Sequence, residues 1–307
     1  MRERDPLSAL SLVLRSVDAV RNTRALFVLL ATFASAGLLL AMAETSLAKD
    51  NAWWGPLQAG AALFVAFYGG NTAGILVMDD ARGRVVREIG DALRVSLLTA
   101  HRLLLVLTML LVGYALAAGV LLGLLWLCRT TVSGTVVGPL LFGLIEPIGV
   151  IVVGLALLSL VAVVVPLAAP GVWSGAGVLR LVADLAGLVR RKLLTVALLM
   201  AAVSALTAGM GALVTFAVMA GGRVMAQAGI TVVGVDVPAQ QLMGGLFGYG
   251  LRTLGAAGAP LGTTAHASAA LVGGGVVFAL ALVLPSLVYL RGTCAVYLAM
   301  TEEAPWA

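Results

Sequence analysis

The sequence predicts an all-α integral membrane protein: six transmembrane helices in three elbow–span–span repeats, with in-plane amphipathic helices on the cytoplasmic side. Three observations predict it. Of the 307 residues, 61% are hydrophobic and only 11% charged, whereas a soluble domain is nearer half apolar and a quarter charged. Several apolar runs exceed the roughly 18 residues that mark a membrane span. One pattern, an amphipathic stretch followed by a short basic cluster and a long apolar run, occurs three times.

The first copy opens with Leu7, Leu10, Leu14 and Val17 at helical spacing, opposite Arg15, Asp18 and Asn22. Arg21 and Arg24 follow, then a first span over 25–44. Ala41-Met42-Ala43 resembles a signal-peptidase site, but residues 1–24 are amphipathic where a signal n-region is short and unpatterned, so an uncleaved span is expected. Trp53 and Trp54 precede the second span, 57–78, where an interfacial aromatic belt belongs. The second copy, 85–99, sets Val86, Ile89, Leu93 and Leu97 against Arg87, Asp91 and Arg94; His101 and Arg102 lead into a third span over 103–128. The fourth span, 147–169, is expected to start after Glu146-Pro147, because proline suits a first helical turn. The third copy sets Val178, Val182, Leu185 and Val189 against Arg180, Asp184 and Arg191; Arg190, Arg191 and Lys192 precede a fifth span over 193–220. The sixth span covers 267–290.

Each amphipathic stretch is too short to span and carries one strong apolar face. Such a helix lies in the interface plane; the alternative is an ordinary loop or an extension of the next span. The basic clusters Arg21, Arg24, Arg102, Arg190, Arg191 and Lys192 are candidate contacts to lipid headgroups, at about 1 kcal/mol each beside an anionic surface. The whole chain, 1–307, reads as one membrane domain with repeat units of about 1–80, 81–170 and 171–307. The units run in the same direction, unlike the inverted repeats of many secondary transporters.

Charge sets the orientation. With the N-terminus on one side, that side holds 15 of the 19 Lys and Arg, leaving Lys49, Arg129, Arg223 and Arg252 on the other. The positive-inside rule then places both termini in the cytoplasm, with the chain multi-pass in the inner membrane of a prokaryote. The net charge of +5 lies beside spans rather than in a soluble patch, so no nucleic-acid partner is expected. Cys128 and Cys294 fall at opposite membrane faces in this topology, which excludes a disulfide between them.

No metalloprotease, nucleophile-elbow or phosphate-loop motif is present, and His101 and His266 fall on opposite faces. No catalytic residue, metal or cofactor is therefore assigned. Asp79-Asp80, with Arg82 and Arg84 close behind, reads as a solvated cytoplasmic helix end rather than a cation site. Asn71 and Thr72, flanked by Gly70 and Gly74, are the candidate ligand-binding pair. They read either as a broken helix lining a cavity or as a small-residue packing face. Gly119 and Gly123 form a second packing motif. The segment 221–266 is an outer-face connection with only Arg223, Asp236 and Arg252 charged, and the stretch 130–145 has no charge at all. Such uncharged loops fold onto the bundle, dip into the outer leaflet or take a partner, through association with another protein or with a second copy.

Alternating elbows and apolar helix pairs, cytoplasmic ends and the Pro170-Gly171 turn after an even span resemble the polytopic bacterial proteins grouped with the membrane domain of glycerophosphodiester phosphodiesterases. The resemblance covers the layout of most of the chain. It implies a six-helix membrane part; no phosphodiesterase catalytic domain is read in this sequence, so that activity does not carry over. The functional expectation is a non-catalytic membrane protein, a scaffold or subunit of a larger assembly, with lipids as partners. The alternative is a permease or binding protein for a lipid or other hydrophobic solute.

Overall fold

A computed structural model describes residues 11, 14–48, 53–130, 137–233 and 265–301. Among the described residues there is no strand, and six helices are long and apolar enough to cross a membrane. After a 3-10 turn, Arg15–Arg21, the helices are α1 Thr23–Ala48, α2 Trp54–Ala81, α3 Ile89–Thr130 and α4 Val137–Ser159. A π turn, Leu160–Val164, carries α4 into α5, Val165–Trp173; α6 is Val178–Ala228 with a π turn Gly229–Val233 at its end, and α7 is Ala265–Thr301. The chain is thus a multi-pass membrane protein.

The helices are longer than the spans predicted. The fourth begins at Val137, ten residues before the proline assigned to its start, and Pro147 lies inside it. The six residues before Glu146-Pro147, Leu140 to Ile145, are apolar like the run after it, and the helix continues through the proline. Residues 137–145 are accordingly helix rather than loop, and the outer connection expected from 221 is helical to Val233. The rest of that connection, including Asp236-Val237-Pro238, lies outside the described residues. The helix of the sixth span, α7, continues past Leu290 to Thr301, which puts Arg291 within an apolar window instead of at its boundary. Further along, Pro166 withholds an N–H and crowds the carbonyl four residues back, and the π turn just before it widens the helix. There Val165 N–H bonds to Leu160 O, a residue further than in an α-helix.

The three amphipathic stretches take three different forms. The described part of the first is the 3-10 turn; Leu7 and Leu10 lie outside the described residues. The second is no separate elbow: from Ile89 it forms the opening turns of the 42-residue helix α3. No Gly or Pro occurs between Asp91 and Val112 to interrupt it. The third is set off by a break at Lys192, whose φ of −135° and ψ of 21° leave the helical region.

Their buried faces also differ from those predicted. Leu14 and Val17 are exposed while Ser16 and Ala19 are buried; Leu93 and Leu97 are exposed while Ala92, Ser96 and Ala100 are buried. In the third, Leu181, Leu185 and Leu188 are buried, a face rotated from the Val178–Val182–Leu185–Val189 stripe. Small residues turned to the protein and large apolar ones turned outward are what a lipid solvent favours, because neighbouring helices gain by close approach.

The chain divides into two compact units. One comprises 14–96 with 203–291; its core includes Val28, Leu29, Ile75, Leu76, Met78 and Leu287. There α1 and α2 make the most extensive helix pair. Ser46 bonds Gln58, Thr32 abuts Gly69 and Asn22 bonds the Leu76 carbonyl, so residue numbers rise along one helix as they fall along the other. The pair is antiparallel. The other unit comprises the described parts of 97–202 and 292–307, with Val163, Val164, Leu167, Leu185, Val196 and Val296 in its core. In it the Ser159 hydroxyl donates to Ala156 O and receives the Tyr114 phenol at 2.5 Å, tying α3 to α4 just before the π turn.

Helices α2 and α5 end alike. Gly83 (φ 66°) and Gly175 (φ 89°) take the left-handed conformation after the last turn. Gly83 N–H bonds Asp80 O and Arg84 N–H bonds Asp79 O; Gly175 N–H bonds Val172 O and Ala176 N–H bonds Gly171 O. This is the Schellman arrangement.

The close approach at Gly69 gives a test. A Cβ there would collide with the Thr32 side chain, while the same atom at Gly70 meets open space. Gly69→Val is expected to lower thermal stability of the purified protein, by about 1–3 kcal/mol for an overpacked contact, and Gly70→Ala to leave the melting temperature nearly unchanged. Equal effects would place the contact elsewhere.

Candidate functional site

The densest set of polar contacts lies at the C-terminal end of α2, where Asn71 to Asp79 is buried without interruption. Asn71 and Thr72 sit within a continuous helix, so the predicted break does not occur. The Asn71 amide donates to Phe67 O at 2.8 Å and the Thr72 hydroxyl to Tyr68 O at 2.7 Å, each one turn back. Such back-bonding is how polar side chains are satisfied inside an apolar helix. The Ser96 hydroxyl, from α3, reaches the same Tyr68 carbonyl at 3.0 Å. The pair therefore joins a packed seam, and Thr72 is only 1% exposed.

Two turns further along, α2 ends in two carboxylates. Asp79 is 5% exposed, which corrects the reading of this end as solvated. The Arg87 guanidinium meets it in a two-pronged contact, Nε to Oδ2 at 2.6 Å and Nη2 to Oδ1 at 2.8 Å. Arg291 of α7 forms an ion pair with Asp80. A carboxylate in the last turn faces the negative end of the helix dipole, and burial adds desolvation. Each Asp thus needs a cation, and the chain supplies one to each.

The hydrogen bond to Asp79 holds the Arg87 guanidinium above its ordinary pKa; burial opposes this, and the charges of Asp79 and Asp91 add to it. A raised cation contributes stability that is complete below its unfolded pKa and is lost only as pH climbs through the raised one. The contribution of Arg87 is therefore intact at any ordinary working pH.

Two residues at the start of α2's partner helix complete the cluster. The Asn22 carbonyl oxygen of the side chain accepts Ala25 N–H at 3.1 Å, capping α1, while its amide donates to Leu76 O of α2 at 3.3 Å. Arg24 donates through Nη1 to Val86 O at 2.5 Å and Arg87 O at 2.9 Å. It thereby holds the link between α2 and α3 in place. Five segments meet here: the start of α1, the end of α2, the link 82–88, the start of α3 and Arg291 of α7. All belong to the unit 14–96 with 203–291.

Of the residues proposed as headgroup contacts, Arg24 is thus partly engaged by backbone carbonyls. Arg21 is exposed in the last turn of the 3-10 helix, and Arg102 is half-buried on α3. Arg190, Arg191 and Lys192 are exposed beside the α6 break, where they line a groove of about 730 Å³. Among the described residues no group of three or more His, Cys, Asp or Glu side chains comes together as a metal site would require. Sequence reading missed the partners of Asp79 and Asp80. The available signals were the arginine run 82–87 after the acidic pair and a lone Arg291 in an apolar stretch.

Arg87→Ala leaves a buried carboxylate without its cation, at a cost of about 3 kcal/mol. The expected loss of melting temperature exceeds that of the double variant Asp79→Asn/Arg87→Gln, in which neither charge remains. A double variant no more stable than Arg87→Ala would show that Asp79 has another strong partner.

The chain was compared with protein-family models, with curated proteins and with solved structures, and none of the three gives a match. Its class rests on the helices themselves: a multi-pass, all-helical membrane protein.

Proposed function

We propose that the chain is a non-catalytic integral membrane protein that acts as a scaffold or subunit of a larger membrane assembly. The observation that carries the reading is how the α2 polar groups are used. Asn71, Thr72, Asp79 and Asp80 all bond to the protein's own backbone or arginines, and these bonds fasten helices together. A substrate pathway at membrane depth calls for polar groups turned to a cavity.

A second feature supports assembly. On α3, a Cβ at Gly113, Gly119 or Gly123 would meet open space, and small residues are where a further transmembrane helix can approach closely. The likeness in layout to the membrane domain of glycerophosphodiester phosphodiesterases agrees with a membrane part lacking its own chemistry. In the proposed topology both termini are cytoplasmic, the membrane is the inner membrane of a prokaryote, and the outer connection within 221–266 is the face open to a partner. A repeated layout belongs to this reading, with the second amphipathic stretch continuous with its span; the shared ends of α2 and α5 support it.

Native mass spectrometry of the protein released gently from its own membrane tests the proposal. The expected result is a stoichiometric protein partner retained with the chain. Asn71→Ala/Thr72→Ala is expected to weaken folding or assembly. A lone chain holding one defined solute, with that double variant assembled normally but emptied of the solute, would instead favour a permease or binding protein.

A further inference from the structure

The groove at the break in α6 lies outside the polar cluster on α2 and has a different character. It is lined by Asp184, Arg190, Arg191 and Lys192 together with Met300 and Thr301 from the end of α7, all within one unit. We propose that it binds the phosphate of an anionic phospholipid headgroup. This goes beyond the assembly reading and does not depend on it.

Three features carry the proposal. The first is convergence. In a regular α-helix three consecutive side chains fan through about 200°, so a run of three cations does not ordinarily serve one site. Here the backbone leaves helical geometry at Lys192, and all three line the same groove.

The second feature is charge. Three cations face one carboxylate, Asp184, and that carboxylate has Arg180 at 3.9 Å. The lining is net positive among the described residues. Among the described residues Arg190, Arg191 and Lys192 make no ion pair. A volume of about 730 Å³ holds a headgroup, in the ordinary range for small-molecule sites.

The third feature selects a lipid over a soluble phosphate. Leu194 and Leu198, directly after the cations, are 71% and 73% exposed. Cations next to outward leucines mark the level where headgroups meet acyl chains. A phosphate at Arg190, Arg191 and Lys192 leaves its acyl chains to run along this apolar face.

The test uses the full-length protein in neutral phosphatidylcholine nanodiscs, with phosphatidylglycerol added and bound lipid counted by native mass spectrometry. Expected is a preference for phosphatidylglycerol that weakens with salt. It should fall on the order of tenfold or more in Arg190→Gln/Arg191→Gln/Lys192→Gln, persist in Lys192→Arg and be unchanged in Arg223→Gln. Lack of preference in the unaltered protein would overturn the proposal whatever the variants do. So would a folded triple variant that keeps the lipid, or glycerol 3-phosphate binding as tightly as the lipid, which would make the site one for a soluble phosphate.

Discussion

Asp79 holds the least favourable position in the described structure, and much around it follows from that. It is buried, it is charged, and it sits in the last turn of α2, where the helix dipole is negative. Such a carboxylate survives only with a well-aligned cation and further hydrogen bonds in support. Arg87 provides the two-pronged contact, and Arg24 fixes Arg87 by gripping its carbonyl and that of Val86. The geometry of the link between α2 and α3 is thus set by one acid. Because Arg24 stands at the start of α1, the same acid also fixes where that helix begins against the other two.

The left-handed glycine makes this arrangement reachable. Gly83 reverses the chain within one turn, which brings Arg87 back over the helix it has just left. A residue with a Cβ pays strain at that φ. The reversal, the ion pair and the cap of α1 by Asn22 are consequently one unit of structure. Weakening any of them loosens the other two, and effects of substitutions within it should not add. A buried ion pair is weak evidence for stability as such. What it does here is join the link to both helices, since Arg87 reaches Asp79 of α2 and Arg24 of α1 holds the Arg87 carbonyl.

Much of the architecture was legible in the sequence because the membrane imposes length and apolarity on each span. Six helices follow from apolar runs that a single sequence displays; the turn expected at Pro170-Gly171 does not, because both residues lie inside α5 and the chain turns at Gly175. Helix ends did not follow, since the usual stop signals lose authority in hydrocarbon. Water no longer competes for backbone groups there, so Pro147 is accommodated within a helix and Arg291 is carried inside one with a carboxylate beside it. The partners of Asp79 and Asp80 were hidden for a different reason. Both contacts depend on how a chain reversal and a distant helix come back to α2, and periodicity along one helix contains no such information.

The faces of the amphipathic stretches were misjudged for a reason that reaches beyond this chain. In water the large apolar stripe of a helix is the face that buries, and Leu93 and Leu97 read naturally as core. In lipid, large apolar side chains gain little by leaving the solvent, since the solvent is as apolar as they are. Close backbone approach and interhelical hydrogen bonds decide instead. Ala92, Ser96 and Ala100 repeat every four residues and are almost wholly buried, and the Ser96 hydroxyl reaches the Tyr68 carbonyl. Leu181, Leu185 and Leu188 are the exception, buried as a soluble helix would bury them. That contrast distinguishes the two stretches physically. The first turns of α3 pack by the rules of a membrane helix, whereas the segment before Lys192 packs by the rules of water. A segment that packs in this second way belongs at the edge of the bilayer, which is where three cations and a headgroup-sized groove have their use.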